Sequence, residues 1–378
     1  MLDSRPVTDD DAILGVRPRY VAEPSTVAEA AAVMRAAGEQ GLSVVPRGNG
    51  TRIHWGAAPR ACDLVIDTRR LGRIVEHAAG DLVVTVEAGV PVADLQALLA
   101  RENQQLALDV PIGAADGPGS TVGGVISAGV AGPRRLLYGT VRDLLIGITV
   151  VRADGAITKS GGKVVKNVAG YDLGKLYTGA FGTLGLVVSA SFRLHPVPEQ
   201  RRYVTTLTKE PLRDVLRILH SDLVPSAVEL KGPDTLVTLL EGSAADARAA
   251  EAVRLLGRGT EVSDTPPDWW LRHPKGEVLL EVRAKPTDLP AILELAGARV
   301  RGSAGSGVWL IGAFAVSAPD LVARLRERWP TIVRYAPEAV RDTVDLWGPS
   351  PALPLMRRVK DQFDPAHRLS PGRFVGGI

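Results

Sequence analysis

Hydrophobic and polar positions alternate along this chain in short blocks, and the period of each block predicts its secondary structure. Apolar residues recur at helical spacing over residues 27–37, and Thr26 with Glu29 predicts a capping box at the start of this helix. Gly38 and Gly41 are candidates to end it. The pattern therefore predicts one well-delimited helix near the N-terminus.

Alternating or continuously apolar runs predict strands between the helices of the first half. Residues 186–194 alternate with period two, which predicts a strand with one buried and one exposed face. Asp154-Gly155 is a hairpin turn signal between two apolar runs. Further strands are predicted over residues 42–46, 82–87, 146–151 and 156–159. Strands that alternate with short helices over about the first 200 residues indicate an α/β or α+β class.

The proline-rich stretch over residues 195–199 marks a change of pattern and the first predicted domain boundary. Strand-then-helix units recur beyond it, which predicts an antiparallel sheet with helices on one face. These units lie at 235–240 with 244–256, at 277–283 with 289–296, and at 308–316 leading into 320–329. We therefore predict a first domain over 1–198, a cap over 199–345, and a C-terminal segment over 346–378 that returns to the first domain.

The most unusual stretch is residues 111–143, where a cluster of glycines is combined with a Ser-Thr pair. Ordered glycine costs conformational entropy, so a cluster indicates positive φ angles or a close approach of main chain to a ligand. Exposed N–H groups here would suit a flat, negatively charged cofactor. A mobile surface loop is the alternative, and the interleaved Val122, Val125 and Ile126 favour a packed segment.

The composition is that of an ordinary globular protein, with 45% hydrophobic and 23% charged residues among 378. A net charge of +3, without basic runs interleaved with aromatics, argues against nucleic acid as a partner. Cys62 is the only cysteine, so the sequence holds no ligand set for an iron–sulfur cluster, and a reducing compartment fits. Because no signal peptide or membrane span is visible, a cytoplasmic location is expected.

A predicted strand runs into a Gly-x-Gly turn over residues 47–51, which is a second candidate binding segment. Ile53 stands where the Rossmann fingerprint has its third glycine, and Pro59 is incompatible with the helix that should follow. The N–H groups of this turn could instead converge on a phosphate, or the turn could be an ordinary hairpin. Residues 166–173 with 182–187 form a third segment, and three such loops can close around one extended cofactor.

These three segments together resemble the PCMH-type FAD-binding domain over roughly residues 16–198. Three motifs make the chain similar to the FAD-binding subunits of bacterial glycolate oxidases. They are Gly132-Pro133-Arg134-Arg135, the Lys166–Leu173 part of the third segment, and a C-terminal motif formed by Phe363-Asp364-Pro365 and Ser370-Pro371-Gly372-Arg373. The resemblance covers almost the whole chain. It implies an α+β fold in which a two-subdomain FAD-binding unit carries an antiparallel-sheet cap domain.

The resemblance implies FAD as the cofactor and assigns residues to its parts. The pyrophosphate would be bound by Gly48, Asn49, Gly50, Thr51, Ser120, Thr121, Val122, Gly123 and Gly124, and Arg47 is a further cofactor-binding residue. The flavin side would lie near Gly139, Arg142 and Asp143, and the adenine beside the main chain of Gly185, Leu186 and Val187.

Two departures from the family pattern change the expected chemistry. Thr51 stands where members with covalent flavin carry a histidine, so we expect non-covalent FAD. The catalytic glycolate and D-lactate dehydrogenases carry a Ser-Glu-Gly-Thr-Leu-Gly run and a metal cluster in the cap. Here the run begins Ala180-Phe181, and the cap has only His220 and His273, without two-ligand spacing, so no metal is expected. Independent oxidation of a hydroxy acid is therefore in doubt.

Oxidation of a 2-hydroxy acid requires a cation for the substrate carboxylate and a base for the hydroxyl proton. Arg134, Arg135 and Lys166 are the candidate catalytic cations, and a solvated surface position is the alternative for each. The sequence offers no convincing base. Trp347 could line the mouth of the flavin site or pack at a domain interface.

The leading hypothesis is an FAD-binding subunit of a glycolate-oxidase-like complex, which oxidises a 2-hydroxy acid and passes electrons to a partner. The expected partners are a second flavin subunit and an iron–sulfur subunit, through which the protein would sit peripherally at a membrane. One alternative is a stand-alone FAD-dependent oxidase or dehydrogenase of unknown substrate. The other is a non-catalytic flavin-binding subunit that supports assembly.

Overall fold

A computed structural model describes residues 4–111, 119–162 and 171–378. The strands are β1 Tyr20–Ala22, β2 Val44–Arg47, β3 Leu64–Asp67, β4 Ile74–Ala78, β5 Val83–Glu87, β6 Gln104–Gln105, β7 Leu145–Val151, β8 Ile157–Gly161, β9 Leu186–Arg193, β10 His195–Pro196, β11 Arg201–Leu207, β12 Ala227–Lys231, β13 Thr235–Glu241, β14 Thr260–Ser263, β15 Val278–Arg283, β16 Val300–Ser303, β17 Val308–Ala313 and β18 Thr331–Tyr335. The helices are α1 Val27–Glu39, α2 Val92–Ala100, α3 Val122–Ala128, α4 Arg135–Tyr138, α5 Val141–Leu144, α6 Gly174–Tyr177, α7 Pro211–Leu219, α8 Ala245–Leu256, α9 Leu289–Ala296, α10 Ala318–Arg326, α11 Glu338–Arg341 and α12 Leu353–Phe363. Within these described ranges, no helix combines the length and apolar character that a bilayer crossing requires.

Two sheets organise the region before residue 198. A parallel sheet has the strand order β1-β3-β2, and an antiparallel sheet has the order β4-β5-β9-β7-β8. Met34 of α1 packs with Leu186 and Val188 of β9, so one core lies between α1, the parallel sheet and the antiparallel sheet. A second core, which includes Leu95 of α2 and Ile126 of α3, lies on the other side of β9. The antiparallel sheet is therefore packed on both faces.

Helix α1 begins where the sequence predicts it. The Thr26 side chain accepts a hydrogen bond from the Glu29 amide, which is the first half of the predicted capping box. The Glu29 carboxylate accepts instead from the amide and hydroxyl of Ser25, at 2.8 and 2.9 Å. Gly41 follows the end of the helix with φ of +64°.

The prediction of an exposed face for residues 186–194 is wrong. Every residue from Leu186 to Phe192 is buried, because β9 is the central strand and both sheet faces are covered. The polar positions of the alternating pattern are satisfied internally rather than by water. The Ser191 hydroxyl, for example, is 2.8 Å from the hydroxyl of Thr85 on the neighbouring β5.

An eight-stranded antiparallel sheet, here called the cap sheet, has the order β14-β11-β13-β12-β16-β17-β15-β18. Helices α7 to α10 pack together against one of its faces, as the strand-then-helix pattern predicts. Strand β15 shows the alternation: Leu280 points into this helix-covered core, whereas Leu279, Glu281 and Arg283 lie on the opposite face. We call that opposite face the free face. It carries charged residues towards the region before residue 198.

The C-terminal segment is fixed to the parallel sheet. The Val44 amide of β2 donates to Arg368 O at 2.8 Å, and the Ser370 amide donates to Val44 O at 2.8 Å. The buried Lys360 ammonium of α12 donates to Asp364 and to Thr183 O, each at 2.7 Å. The turn at Thr183 is therefore tied to α12 by a buried cation.

Candidate functional site

A cavity of about 80 Å³, here called the glycine-loop cavity, lies between the turn after β2 and the start of α3. Its lining consists of Pro46, Arg47, Gly48, Asn49, Gly50, Thr51, Arg52, Ile53, Thr121, Gly124, Ser127, Ala128, Phe181, Gly182 and Arg373. Asn49 Nδ2 donates to Gly119 O at 2.9 Å, and Thr51 Oγ1 is 3.1 Å from Ser120 Oγ. The first two glycine segments of the sequence therefore meet at this cavity.

Two glycines permit the close approach of these segments. A Cβ atom on Gly48 would overlap the hydroxyl of Thr121, so the turn can pass α3 only with glycine at this position. A Cβ atom on Gly124 would meet only the same hydroxyl, at 3.1 Å, and Gly124 lines the cavity. The hydroxyl of Thr121 also accepts from the Gly124 amide and caps α3.

The neighbouring Val122 and Gly123, which the sequence grouped with Gly124, have a packing role. The Gly123 amide donates to Ala88 O at 2.8 Å, and a Cβ atom on Gly123 would lie 2.8 Å from Ala88 Cβ. The Val122 side chain is buried in the core, and its amide donates to Val90 O at 2.9 Å. Neither amide is thus available to a ligand.

The glycine-loop cavity carries positive charge that the described residues do not neutralise. The amides of Gly50, Thr51 and Arg52 donate to no acceptor in the described part of the chain. Burial lowers the pKa of Arg52 and of Arg373 to about 10, so both stay charged at neutral pH, and within those same ranges neither pairs with a carboxylate. Their Nε atoms are buried and have no hydrogen-bond partner among the described residues. By contrast, Arg47 is neutralised by Asp11 at 2.7 Å.

Uncompensated buried cations are costly, because the protein removes their hydration without supplying a counter-charge. Among the described residues, Arg52 and Arg373 donate to neutral acceptors. Arg52 donates to the Ser120 hydroxyl and to Pro111 O, and Arg373 donates to Ile53 O and Trp55 O. Free amides beside two such cations form a binding site for an anion.

A larger cavity of about 1180 Å³, here called the central cavity, lies between the free face of the cap sheet and the region before residue 198. Ala128 and Phe181 line both this cavity and the glycine-loop cavity, so the two adjoin. Gly139, Arg142 and Asp143, which the resemblance places on the flavin side, line the central cavity together with Arg135, Glu281, Arg283, Arg334 and Trp347.

Glu281 and Arg334 form a buried ion pair on the free face. The guanidinium donates from Nε and Nη2 to one carboxylate oxygen, at 2.9 and 2.6 Å, and Arg283 lies at 3.1 Å from the other oxygen. Burial opposes ionisation of Glu281, but these arginine charges outweigh it and lower its pKa to about 2. The guanidinium of Arg334 also lies over the Trp55 ring, 5.2 Å from its centroid.

A side pocket of about 50 Å³ adjoins the central cavity, since Arg135 and His273 line both. Its remaining lining includes Glu229 and Ser303 from the cap sheet, and Trp269. Burial raises the pKa of Glu229 to about 7, although a 2.5 Å hydrogen bond from the Ser303 hydroxyl and the charge of Arg135 act in the opposite direction. Burial lowers the pKa of His273 to about 4.

The structure distinguishes two of the three candidate catalytic cations, Arg134 and Arg135. Arg135 lines both the central cavity and the side pocket, where Nε donates to Gly132 O at 2.9 Å and Nη2 donates to Ala131 O. Arg134 does not line either cavity. Its amide and its Nε each donate to the Asp109 carboxylate at 2.8 Å, so it has a structural ion pair. Lys166 lies outside the described residues.

The residues expected near the adenine lie apart from the three cavities. Gly185, Leu186 and Val187 begin β9, and a Cβ atom on Gly185 would lie 2.6 Å from a methyl group of Val150. Of the flavin-side residues, Arg142 is exposed and Asp143 caps α5 by accepting from the Thr140 amide at 2.8 Å. In the ranges that the structure covers, no group of three His, Cys, Asp or Glu side chains is arranged to hold a metal ion.

Trp347 has features of both alternatives that the sequence left open, because it packs against other aromatic rings and also lines a cavity. Its ring packs edge-on against Phe181 at 5.0 Å and against Phe374 at 4.7 Å, and it also lines the central cavity. Sequence reasoning missed Arg52, Glu229, Glu281, His273 and Arg334. The alternation of β15 could have placed Glu281 on the free face, but the burial of the others depends on contacts between distant segments.

Comparison with known proteins supplies the cofactor. Residues 18–161 match the family described as FAD binding domain. This part of the chain is therefore similar to an FAD-binding domain, and it is called the FAD-binding domain below. A solved structure of alkyldihydroxyacetonephosphate synthase superposes with a TM-score of 0.71 at 16% identity, and the match covers 94% of this chain and 76% of that one. This likeness confirms the predicted α+β PCMH-type fold around the FAD-binding domain.

Two curated relatives that are similar in sequence to this chain are subunits of glycolate oxidases. The chain is 33% identical over 225 residues to glycolate oxidase subunit GlcD of Bacillus subtilis (strain 168), covering 59% of this chain and 47% of that protein. It is 37% identical over 133 residues to glycolate oxidase subunit GlcE of Escherichia coli (strain K12), covering 35% and 37% respectively. The chain therefore spans less than half the length of each.

The residues of the glycine-loop cavity have the chemistry that FAD requires. The cofactor carries a pyrophosphate. Within the part of the chain that the structure describes, the cavity offers unpaired amides and two buried arginines without a counter-charge. The adjoining central cavity has the space and the apolar surface, at Phe181 and Trp347, for a flat ring system.

Proposed function

We propose that the protein is an FAD-dependent oxidoreductase that oxidises a 2-hydroxy acid as a subunit of a glycolate-oxidase-like complex. The observation that carries this proposal is the position of Arg135. Arg135 lines the central cavity, and a second cation, Arg334, lines the same cavity. A substrate carboxylate bound there would be attracted by both arginines.

In this proposal the glycine-loop cavity holds the pyrophosphate of non-covalently bound FAD. Amides of Gly50 and Thr51 would donate to the phosphate oxygens, and Arg52 with Arg373 would neutralise their charge. Thr51 carries no nucleophilic nitrogen, and its hydroxyl is engaged with Ser120. His54, three residues on, packs its ring against Tyr335 rather than into the glycine-loop cavity.

The side chains of the central cavity would bind and orient the substrate. Bound FAD supplies the two-electron acceptor for this chemistry. Arg135 has two of its donors engaged by main-chain carbonyls, and its Nη1 has no acceptor in the described part of the chain. Glu281 holds Arg334 in place through two hydrogen bonds. The carboxylate would thus be held by Arg135, with the charge of Arg334 in the same cavity.

The proposed partners are a second flavin subunit and an iron–sulfur subunit. Similarity to two subunits named as parts of glycolate oxidase supports a multi-subunit assembly. The chain has a single cysteine, Cys62, which is buried, so electrons would leave the protein through a partner or a small acceptor. The localisation that follows is cytoplasmic, with peripheral membrane contact through the partners.

Anaerobic reduction of the bound flavin tests this function. The complex purified with its partners should be bleached by glycolate or D-lactate, whereas the isolated chain should react slowly. Arg135→Ala should lower kcat/KM by about 10- to 150-fold, the equivalent of one lost charge-assisted contact of about 1.5–3 kcal/mol, without releasing FAD. Arg70→Ala, at an exposed turn remote from the three cavities, is the matched control.

Rapid bleaching of the isolated chain by glycolate would favour the stand-alone enzyme over the subunit. An Arg135→Ala complex with unchanged kinetics would remove this residue from the substrate site. A complex that no 2-hydroxy acid reduces would contradict the proposed activity itself.

A further inference from the structure

Two glutamates on the free face of the cap sheet have opposite electrostatic environments. Glu281 accepts from Arg334 and lies beside Arg283, so it is ionised throughout the physiological range. Glu229 has no arginine within ion-pair distance among the described residues, and its carboxylate accepts a hydrogen bond of 2.5 Å from the Ser303 hydroxyl. Carboxyl groups whose environments separate their ionisation in this way commonly divide acid–base roles.

Glu229 is buried, yet it lines the side pocket next to Arg135. The charged and titratable groups that face it come from α4, the segment before α3, the loop before β15, and β16. They are Arg135, Asp109, Arg272, His273 and Arg301. Positive charge predominates among these groups and favours the ionised form of Glu229. Burial disfavours that form more strongly and raises the pKa of Glu229 to about 7, so the carboxyl group is about half-ionised at neutral pH.

We propose that Glu229 is the base that accepts the hydroxyl proton of the substrate. The proposal rests on the proposed function and names the residue that sequence reasoning could not supply. The proton of the substrate hydroxyl would pass to a Glu229 carboxylate oxygen. The hydrogen on the hydroxyl-bearing carbon would leave with two electrons, for which bound FAD would be the acceptor. The C–O bond becomes a carbonyl, so a 2-hydroxy acid yields a 2-oxo acid, reduced FAD and protonated Glu229.

The geometry favours Glu229 over the other two groups. Glu281 is occupied by Arg334 and is a weak base because its charged form is stabilised. His273 lies against Trp55, with ring centroids 6.0 Å apart, and its surroundings are cationic. Arg135 and Glu229 line the same side pocket, so a substrate whose carboxylate binds Arg135 would have its neighbouring hydroxyl close to the pocket that Glu229 lines.

The pH dependence of the reaction tests the proposal in the intact complex. A base must be ionised to act, so kcat/KM with glycolate or D-lactate should rise with pH and level off above about 7. Glu229→Gln preserves shape and the Ser303 contact, and should lower kcat/KM by about 100- to 10,000-fold and remove this rise. Ser303→Ala removes a hydrogen bond that stabilises the ionised Glu229 carboxylate, so the rise of kcat/KM should occur at higher pH. Glu261→Gln, on the exposed edge strand β14, is the matched control.

Thermal unfolding of the FAD-loaded protein gives a readout that does not depend on activity. The folded pKa of Glu229 exceeds the unfolded value, so its ionisation destabilises the fold as pH rises from about 4.5 through 7. Glu229→Gln cannot ionise, so its melting temperature relative to wild type should increase over this interval. Glu261→Gln should follow wild type at every pH.

The outcomes separate failure of the inference from failure of the proposed function. The role of Glu229 would be overturned if the wild-type complex oxidises 2-hydroxy acids and the rise of kcat/KM with pH persists in Glu229→Gln. Loss of that rise in His273→Asn would then identify the histidine as the base. A flat difference in melting temperature would overturn the titration of Glu229 near neutrality. An inactive wild-type complex would overturn both the proposed function and the base assignment that rests on it.

Discussion

Substitution of Gly124 by valine tests the glycine-loop cavity without altering the core. Gly124 lies at the third position of α3 with helical backbone angles, so valine adopts the same conformation. The higher helix propensity of valine relative to glycine should raise the free energy of unfolding by about 0.3–0.5 kcal/mol. The new Cβ atom would lie 3.1 Å from the Thr121 hydroxyl and weaken the cap there, which costs up to about 1 kcal/mol. The free energy of unfolding of the apoprotein should therefore change by less than about 1 kcal/mol.

FAD binding should change far more than stability. The valine side chain enters the space that the pyrophosphate would occupy, so at least one charge-assisted hydrogen bond is lost, worth about 1.5–3 kcal/mol. The dissociation constant of FAD should rise by about 10- to 150-fold. Quenching of flavin fluorescence during titration of the apoprotein measures this constant directly.

The adjacent Gly123 provides the matched control. A Cβ atom there would lie 2.8 Å from Ala88 Cβ, so Gly123→Ala overpacks the contact between α3 and the end of β5. The expected loss of stability is about 1–3 kcal/mol, already present in the apoprotein. Wild-type FAD affinity in Gly124→Val would refute the assignment of this cavity to the pyrophosphate.

Two further predictions concern the cofactor linkage and the C-terminal segment. Acid precipitation should release all FAD into the supernatant, because Thr51 replaces the linking histidine; flavin retained in the pellet would contradict non-covalent binding. Lys360→Met leaves the buried Asp364 without its 2.7 Å partner, so the free energy of unfolding in urea should fall by about 3–5 kcal/mol, and an unchanged midpoint would show that the pair does not hold α12 in place.

The sequence predicted correctly those features of the fold that depend on only a few neighbouring residues. The Thr26 cap and the hairpin at Asp154-Gly155 depend on adjacent positions, and both occur as predicted. The exposure of β9 could not be predicted in this way. Its polar positions, such as Ser191, read as a solvent face, but a sheet covered on both sides places them against Thr85 instead.

The candidate site was predictable only where a glycine pattern or a resemblance identified it. The sequence could not distinguish Arg134 from Arg135, because the difference is the contact of Arg134 with Asp109. Glu229 lies in the five-residue strand β12, whose pattern is too short to indicate which neighbours it meets. Its closeness to Arg135 depends on the packing of the cap sheet over α4, which no local pattern encodes.

The most direct test of the account is a single-turnover measurement on the complex, mixed anaerobically with glycolate or D-lactate in excess. The account predicts that the oxidised-flavin band bleaches and that one equivalent of the corresponding 2-oxo acid forms for each FAD reduced in this chain. A flavin in this chain that stays oxidised, or that is reduced without formation of a 2-oxo acid, would contradict the proposed oxidation of 2-hydroxy acids.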